Sequence, residues 1–167
     1  MKRRLFLCIA IAVILLSGCG KGKIYQSRQT LKDNTWNRIE NGKTLTFDNI
    51  NIEDSVAVYD IYVTLRHTPY INDDKIKFVM RIISPSGIIK ETSHTIKLKN
   101  RYQDKWIGDA MGDMIDVENK CRSFVTFPEK GKYTITLTNM GTQYRTVGLM
   151  DIGLKIEKSD LDYNVNK

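Results

Sequence analysis

The sequence predicts an all-β protein: a single antiparallel β-sandwich preceded by a lipoprotein signal peptide. Three observations carry that expectation. Apolar residues recur at every second position in several separate segments, the period of a strand with one buried face. Clusters of Gly, Pro, Asn, Asp and Ser divide those segments. No stretch sustains a 3.6-residue apolar pattern with helix caps. Short strands that each keep one solvated face do not suit a parallel sheet covered by helices; they suit two antiparallel sheets face to face. A jelly-roll-like sandwich is the first expectation and an immunoglobulin-like one the alternative.

Lys2, Arg3 and Arg4 precede an unbroken apolar run from Leu5 to Leu16. A membrane-spanning helix needs about 20 such residues, so this shorter run reads as a secretory signal. It ends in Leu16-Ser17-Gly18-Cys19, the lipobox of bacterial lipoproteins. The expected processing adds a diacylglyceryl group to the Cys19 thiol, cuts the chain before it and acylates the new amino group. One fatty chain binds a membrane marginally; two or three make a durable anchor. The expected organisation is therefore a signal peptide over 1–18, a lipidated N-terminus and tether over 19–35, the sandwich over 36–158 and a flexible tail over 159–167.

The strands follow in order. "KTLTFDN" offers Leu45 and Phe47, and "AVYDIYVTL" puts Ala57, Tyr59, Ile61, Val63 and Leu65 on one face. "KIKFVMRI" aligns Ile76, Phe78, Met80 and Ile82, while "HTIKLK" and "RSFVTF" are shorter candidates. "KYTITLTNM" alternates Tyr133, Ile135 and Leu137 with threonines, and "MDIGLKIEK" aligns Met150, Ile152, Leu154 and Ile156. Turns are expected at Asn41-Gly42, Asn72-Asp73-Asp74, Ser84-Pro85-Ser86-Gly87, Asn100 and Pro128-Glu129-Lys130-Gly131. "RYQDKWIGDAMGDMIDVENK" shows no clear alternation and reads as a short helix or an irregular loop. Trp36 reads as a core or edge plug.

Charge and cysteine content narrow the function. The formal charge of +7 falls to +4 once Lys2, Arg3 and Arg4 leave with the signal. The remaining Lys and Arg form no block or stripe, so no nucleic-acid partner is expected. Of three cysteines, Cys8 leaves with the signal and Cys19 carries lipid, which leaves Cys121 without a disulfide partner. It reads as a small buried residue.

Catalytic chemistry finds little support. The two histidines, His67 and His94, sit in no metal-binding pair, and no nucleophile elbow or phosphate loop occurs. No catalytic residue, enzymatic activity or further cofactor is expected. The acidic segment "WIGDAMGDMIDVE" makes Asp109, Asp113 and Asp116 candidates for a hard cation, with Gly108 and Gly112 allowing sharp turns. Their spacing is not that of a calcium-binding hand loop, and a solvated loop is the preferred reading. The aromatics Tyr62, Tyr70, Tyr102, Trp106 and Tyr144 form a second constellation. Tyr70, Tyr102 and Trp106 are the binding candidates, by stacking on sugar rings or by plugging the end of the sandwich.

Several segments together resemble one family. "VTLRHTPY", "WIGDAMGD", "FPEKGKYTITLTNM" and "DIGLKIEK" occur in its order, with Trp36 shortly after the tether. The set is similar to the gliding motility-associated lipoproteins of the GldH type, found in Bacteroidetes. The resemblance implies a non-catalytic envelope lipoprotein that binds other envelope or secretion-machinery proteins. A glycan-binding module of the envelope is the alternative. "GKGK" after Cys19 lacks the acidic run that sends lipoproteins of that phylum to the cell exterior. The expected location is therefore the outer membrane, facing the periplasm.

Overall fold

A computed structural model describes residues 22–39, 43–100 and 102–159. The signal peptide, Cys19, the Asn41-Gly42 turn and the tail beyond Ser159 lie outside the described residues. The strands are β1 (Lys23–Thr30), β2 (Thr35–Asn37), β3 (Thr44–Ile52), β4 (Val58–His67), β5 (Lys75–Ile83), β6 (Ile89–Lys97) and β7 (Lys99–Asn100). They continue as β8 (Lys105–Trp106), β9 (Asp109–Met111), β10 (Met114–Thr126), β11 (Gly131–Asn139), β12 (Arg145–Val147) and β13 (Leu149–Lys158).

The two main sheets are antiparallel, in the orders β1-β13-β4-β10-β9 and β3-β11-β5-β6. Counted in chain order among the described residues, the eight long strands read one-eight-three-six and two-seven-four-five. That is the jelly-roll order. The alternation seen in the sequence makes the core: Tyr59, Ile61, Val63 and Leu65 of β4 face Phe78, Met80 and Ile82 of β5 and Ile135 and Leu137 of β11, all buried. Threonines of β11 stay on the wetted face, where Thr44 and Thr138 hydroxyls meet at 2.9 Å.

Three boundaries differ from expectation. Strand β1 pairs with β13 from Lys23, so the sheet takes in residues assigned to a tether over 19–35. Its apolar pattern is faint because an edge strand buries little of either face. The segment taken for a helix or loop instead forms β9 and most of β10. Only Ile115 and Val117 point inward there, and the outward Asp116, Glu118 and Lys120 make ion pairs. At the start of β13 the register shifts between Leu149 and Asp151, so Leu149 is buried in place of Met150.

The jelly roll gives the molecule two distinct ends. At one, Gly22 accepts a hydrogen bond from Lys158 N–H (2.9 Å), and the loops 53–57, 84–88 and 127–131 gather beside it. We call this the tether end, after the N-terminal segment expected to lead into it. At the other lie Trp36, His67, the 68–74 loop and the 98–113 region. On one long side β1 meets β3, where the Gln29 amide donates to the Thr46 carbonyl at 2.7 Å. On the opposite side, among the described residues, β6 pairs only with β5, and β10 beyond Asp116 pairs only with β4.

Candidate functional site

The carboxylates of Asp109, Asp113 and Asp116 are not gathered at one point. Asp109 lies opposite Asp116 in the ladder, and Asp113 occupies the two-residue hairpin loop with Gly112. Arg66 holds Asp116 in a bidentate pair, Nε to Oδ1 at 2.8 Å and Nη2 to Oδ2 at 2.7 Å. The Arg66 guanidinium keeps the Asp116 carboxyl below the usual carboxylate range. Among the described residues no group of three or more Asp, Glu, His or Cys side chains is placed to share a metal ion. Gly108 has φ +123, and a Cβ there would stand 2.3 Å from the Asp116 carbonyl, so the close approach of β9 to β10 requires glycine.

Both histidines are absorbed by packing. His67 is fully buried, and its Nδ1 donates to the Thr68 carbonyl at 2.8 Å. That bond leaves Nε2 bare, and it has no hydrogen-bond partner among the described residues. Burial pulls the His67 pKa below its ordinary value. His94 stacks on Phe78 at 5.4 Å and its Nε2 meets the Thr92 hydroxyl at 2.8 Å. Cys121 is half-buried, and burial pushes its thiol up to about 12. A thiol so shifted carries negligible thiolate near neutrality.

The aromatic candidates divide. Tyr62 lies on the outer sheet face beneath two ammonium groups, Lys155 at 4.3 Å and Lys120 at 5.3 Å. Trp106 packs edge-on against His67 at 5.2 Å and carries Lys99 at 5.3 Å, which makes it a plug. Tyr70 and Tyr102 are fully offered to solvent and Tyr144 is about half exposed. All of these but Tyr62 sit at the end opposite the tether.

At that end an open cleft of about 730 Å³ is lined by Asp74, Lys75, Lys97, Lys99, Tyr102 and Ile107. Lys75 and Lys97 stand directly opposite each other across β5 and β6. Like charges in that position destabilise a sheet. The cleft is therefore basic beside an exposed aromatic ring.

The open side holds a second surface that the sequence did not flag. A groove of about 140 Å³ runs between the start of β6 and the end of β10, lined by Ile82, Ile88, Phe124, Val125, Phe127 and Tyr133 among others. Phe124 has φ +55 in a bulge of β10 and leaves about half its surface in water. A non-glycine residue there is strained by about 1 kcal/mol or more. Buried Asp60 holds the bulge, accepting Phe124 N–H at 3.1 Å and Lys120 Nζ at 2.6 Å. Burial raises the Asp60 pKa, but these hydrogen bonds outweigh it and the carboxyl lies below its usual range. An acid followed by a phenylalanine far along the chain leaves no local sequence signal for such an arrangement.

Fold and surface place the chain among jelly-roll sandwiches with one open side and a basic, aromatic-bearing end. The chain belongs to the GldH lipoprotein family, whose model matches residues 23–156, from the first strand to the last. It is 26% identical over 156 residues to a protein of Christiangramia forsetii named gliding motility lipoprotein GldH homolog, covering 89% of this chain and 91% of that one. It is 23% identical over 159 residues to the gliding motility lipoprotein GldH of Flavobacterium johnsoniae, covering 91% and 95%. Among solved structures, a Yersinia pseudotuberculosis-derived mitogen is similar over 84% of this chain and 92% of its own, at 9% identity and a TM-score of 0.34, a likeness too low to carry an argument.

Proposed function

We propose that the chain is a lipid-anchored envelope lipoprotein, held through Cys19 at the periplasmic face of the outer membrane, that acts without catalysis by binding other envelope or secretion-machinery proteins. The observation that carries the reading is the open side. Strand β6 presents a row of backbone groups to solvent along Ile89–Lys97, and added strands pair with such edges. Family membership supports the association with motility machinery.

The test is crosslinking in whole cells with a photoreactive residue at exposed Ser93, read by mass spectrometry. A constant protein partner is expected, and Cys19→Ala should release the chain from membranes and abolish the crosslinks. A Cys19→Ala chain that still sediments with membranes, or Ser93 probes that repeatedly capture nothing, would sink the reading.

A glycan-binding reading stands second, carried by fully exposed Tyr102 beside Lys75 and Lys97. Retention of the chain on envelope polysaccharide that disappears in Tyr102→Ala would favour it over the first.

A further inference from the structure

We propose that the tether end of the sandwich rests on the bilayer itself, with Val56, Ile88 and Ile89 entering the interface of an anionic phospholipid surface. The inference rests on the lipid attachment at Cys19 proposed above.

Chain length makes the first argument. Three peptide links separate Cys19 from Gly22. Fully extended they reach roughly 11 Å. Gly22 is fixed to the fold through its carbonyl, which accepts Lys158 N–H at 2.9 Å, and Ser159 N–H donates to the Val58 carbonyl at 2.9 Å beside it. An anchor at Cys19 therefore leaves this end of the sandwich no room to stand clear of the headgroups.

What that end carries makes the second. Val56 is 88% exposed, Ile88 60% and Ile89 56%. These are aliphatic side chains on loop tips and at a strand start, where water gives them nothing to pack against. The tips are held firmly. Ser86 donates from N (3.1 Å) and Oγ (2.7 Å) to Glu129, joining two of the loops. Val56 and Ala57 N–H both donate to Asp54 Oδ1 at 3.1 Å, and Tyr59 Oη donates to the Asp54 carbonyl at 2.7 Å. Behind them Phe127 meets Tyr59 at 5.3 Å and Tyr133 at 4.9 Å, closing the core.

Charge makes the third. Among the described residues, Lys90, Arg122, Lys130 and Lys132 make no ion pair. Of the acids at this end among the described residues, Asp54 is paired by Lys158 at 3.2 Å, while Glu129 and Glu53 accept from neutral donors and keep their charge. The four unpaired cations therefore outnumber the two unpaired carboxylates. Glu53 accepts from the Asn51 amide at 3.1 Å. Basic side chains ringing apolar tips are the pattern that anionic lipid surfaces bind.

The experiment uses the full chain with its lipid, reconstituted in vesicles of phosphatidylcholine with or without phosphatidylglycerol. An environment-sensitive fluorophore is placed at Val56→Cys, Ile88→Cys or Tyr102→Cys in a Cys121→Ser background, and doxyl lipids serve as quencher. Quenching is expected at positions 56 and 88, stronger on the anionic vesicles, and absent at 102. Adding Val56→Asp should cut the quenching at 88 by about threefold while the chain stays on the vesicles. Equal quenching at both ends, or none in a chain that still sediments with vesicles, overturns the docking and leaves the anchor standing. Equal quenching on neutral and anionic vesicles overturns the assignment to an anionic surface. A chain that does not sediment with vesicles at all overturns the anchor and this inference together.

Discussion

His67 shows how a single residue sets a pH response in this protein. Its Nδ1–H is given to the Thr68 carbonyl and its ring is walled in by Trp106 and the core, so the fold accepts the neutral form and resists the charged one. His94 is shifted the same way, by burial and then by Arg122. A base whose pKa is lowered by folding takes up its proton more readily in the unfolded chain. Stability is then complete above the unfolded histidine value of about 6.5 and falls as the pH drops below it. Thermal unfolding followed by circular dichroism should give a melting temperature that declines from pH 7 to pH 5. His67→Gln combined with His94→Gln should flatten that decline. The carboxylates act in a separate window. Asp60 and Asp116 are lowered by folding, so their contribution is lost only as the pH falls through and below the ordinary carboxylate range. An unchanged slope between pH 7 and 5 in the double variant would show that the histidines do not set it.

At the scale of the element, strand β13 depends on an absence. Gly153 sits between Thr64 of β4 and Arg28 of β1, and a Cβ on it would lie 2.3 Å from the Thr64 hydroxyl and 3.1 Å from the Ser27 carbonyl. Gly153→Ala should cost about 2 kcal/mol, seen as a lower urea midpoint at unchanged m-value. Thr64→Ala in the same chain should restore much of it, because it removes the atom in the way. Central strands like this one were legible in the sequence: β4, β5, β11 and β13 bury one face completely, so their alternation is strong. The edge elements were not. Before Ile96, β6 has no fully buried residue, and β1 carries Gln, Ser, Arg and Thr on a barely covered strand. The first half of strand β10 hid for another reason, since its outward positions hold the ion pairs that looked like an acidic loop, while "RSFVTF" at its end reads as a strand. The same limit applies to the surfaces. Exposed Tyr70 and Tyr102 were named from their place in loops, whereas Phe124 needs a bulge and a distant carboxylate that no local spacing announces.

For the whole molecule the decisive pairing is between the first long strand and the last. Strand β1 is hydrogen-bonded to β13 from Lys23↔Glu157 to Thr30↔Asp151, so the sheet closes only when the chain is nearly complete. A chain beginning at Leu31 would bare the β13 edge, and such edges recruit other chains. It is expected to aggregate and lose its single cooperative unfolding transition, while a chain beginning at Gly22 keeps both properties; sedimentation and denaturant titration distinguish them. The pairing has a practical corollary for anyone tagging the protein. Material appended after Ser159 emerges beside Gly22, at the pole that the docking proposed above sets against the headgroups, where a fluorescent reporter would be crowded. An insertion at the Tyr102–Asp104 turn is displayed at the opposite pole.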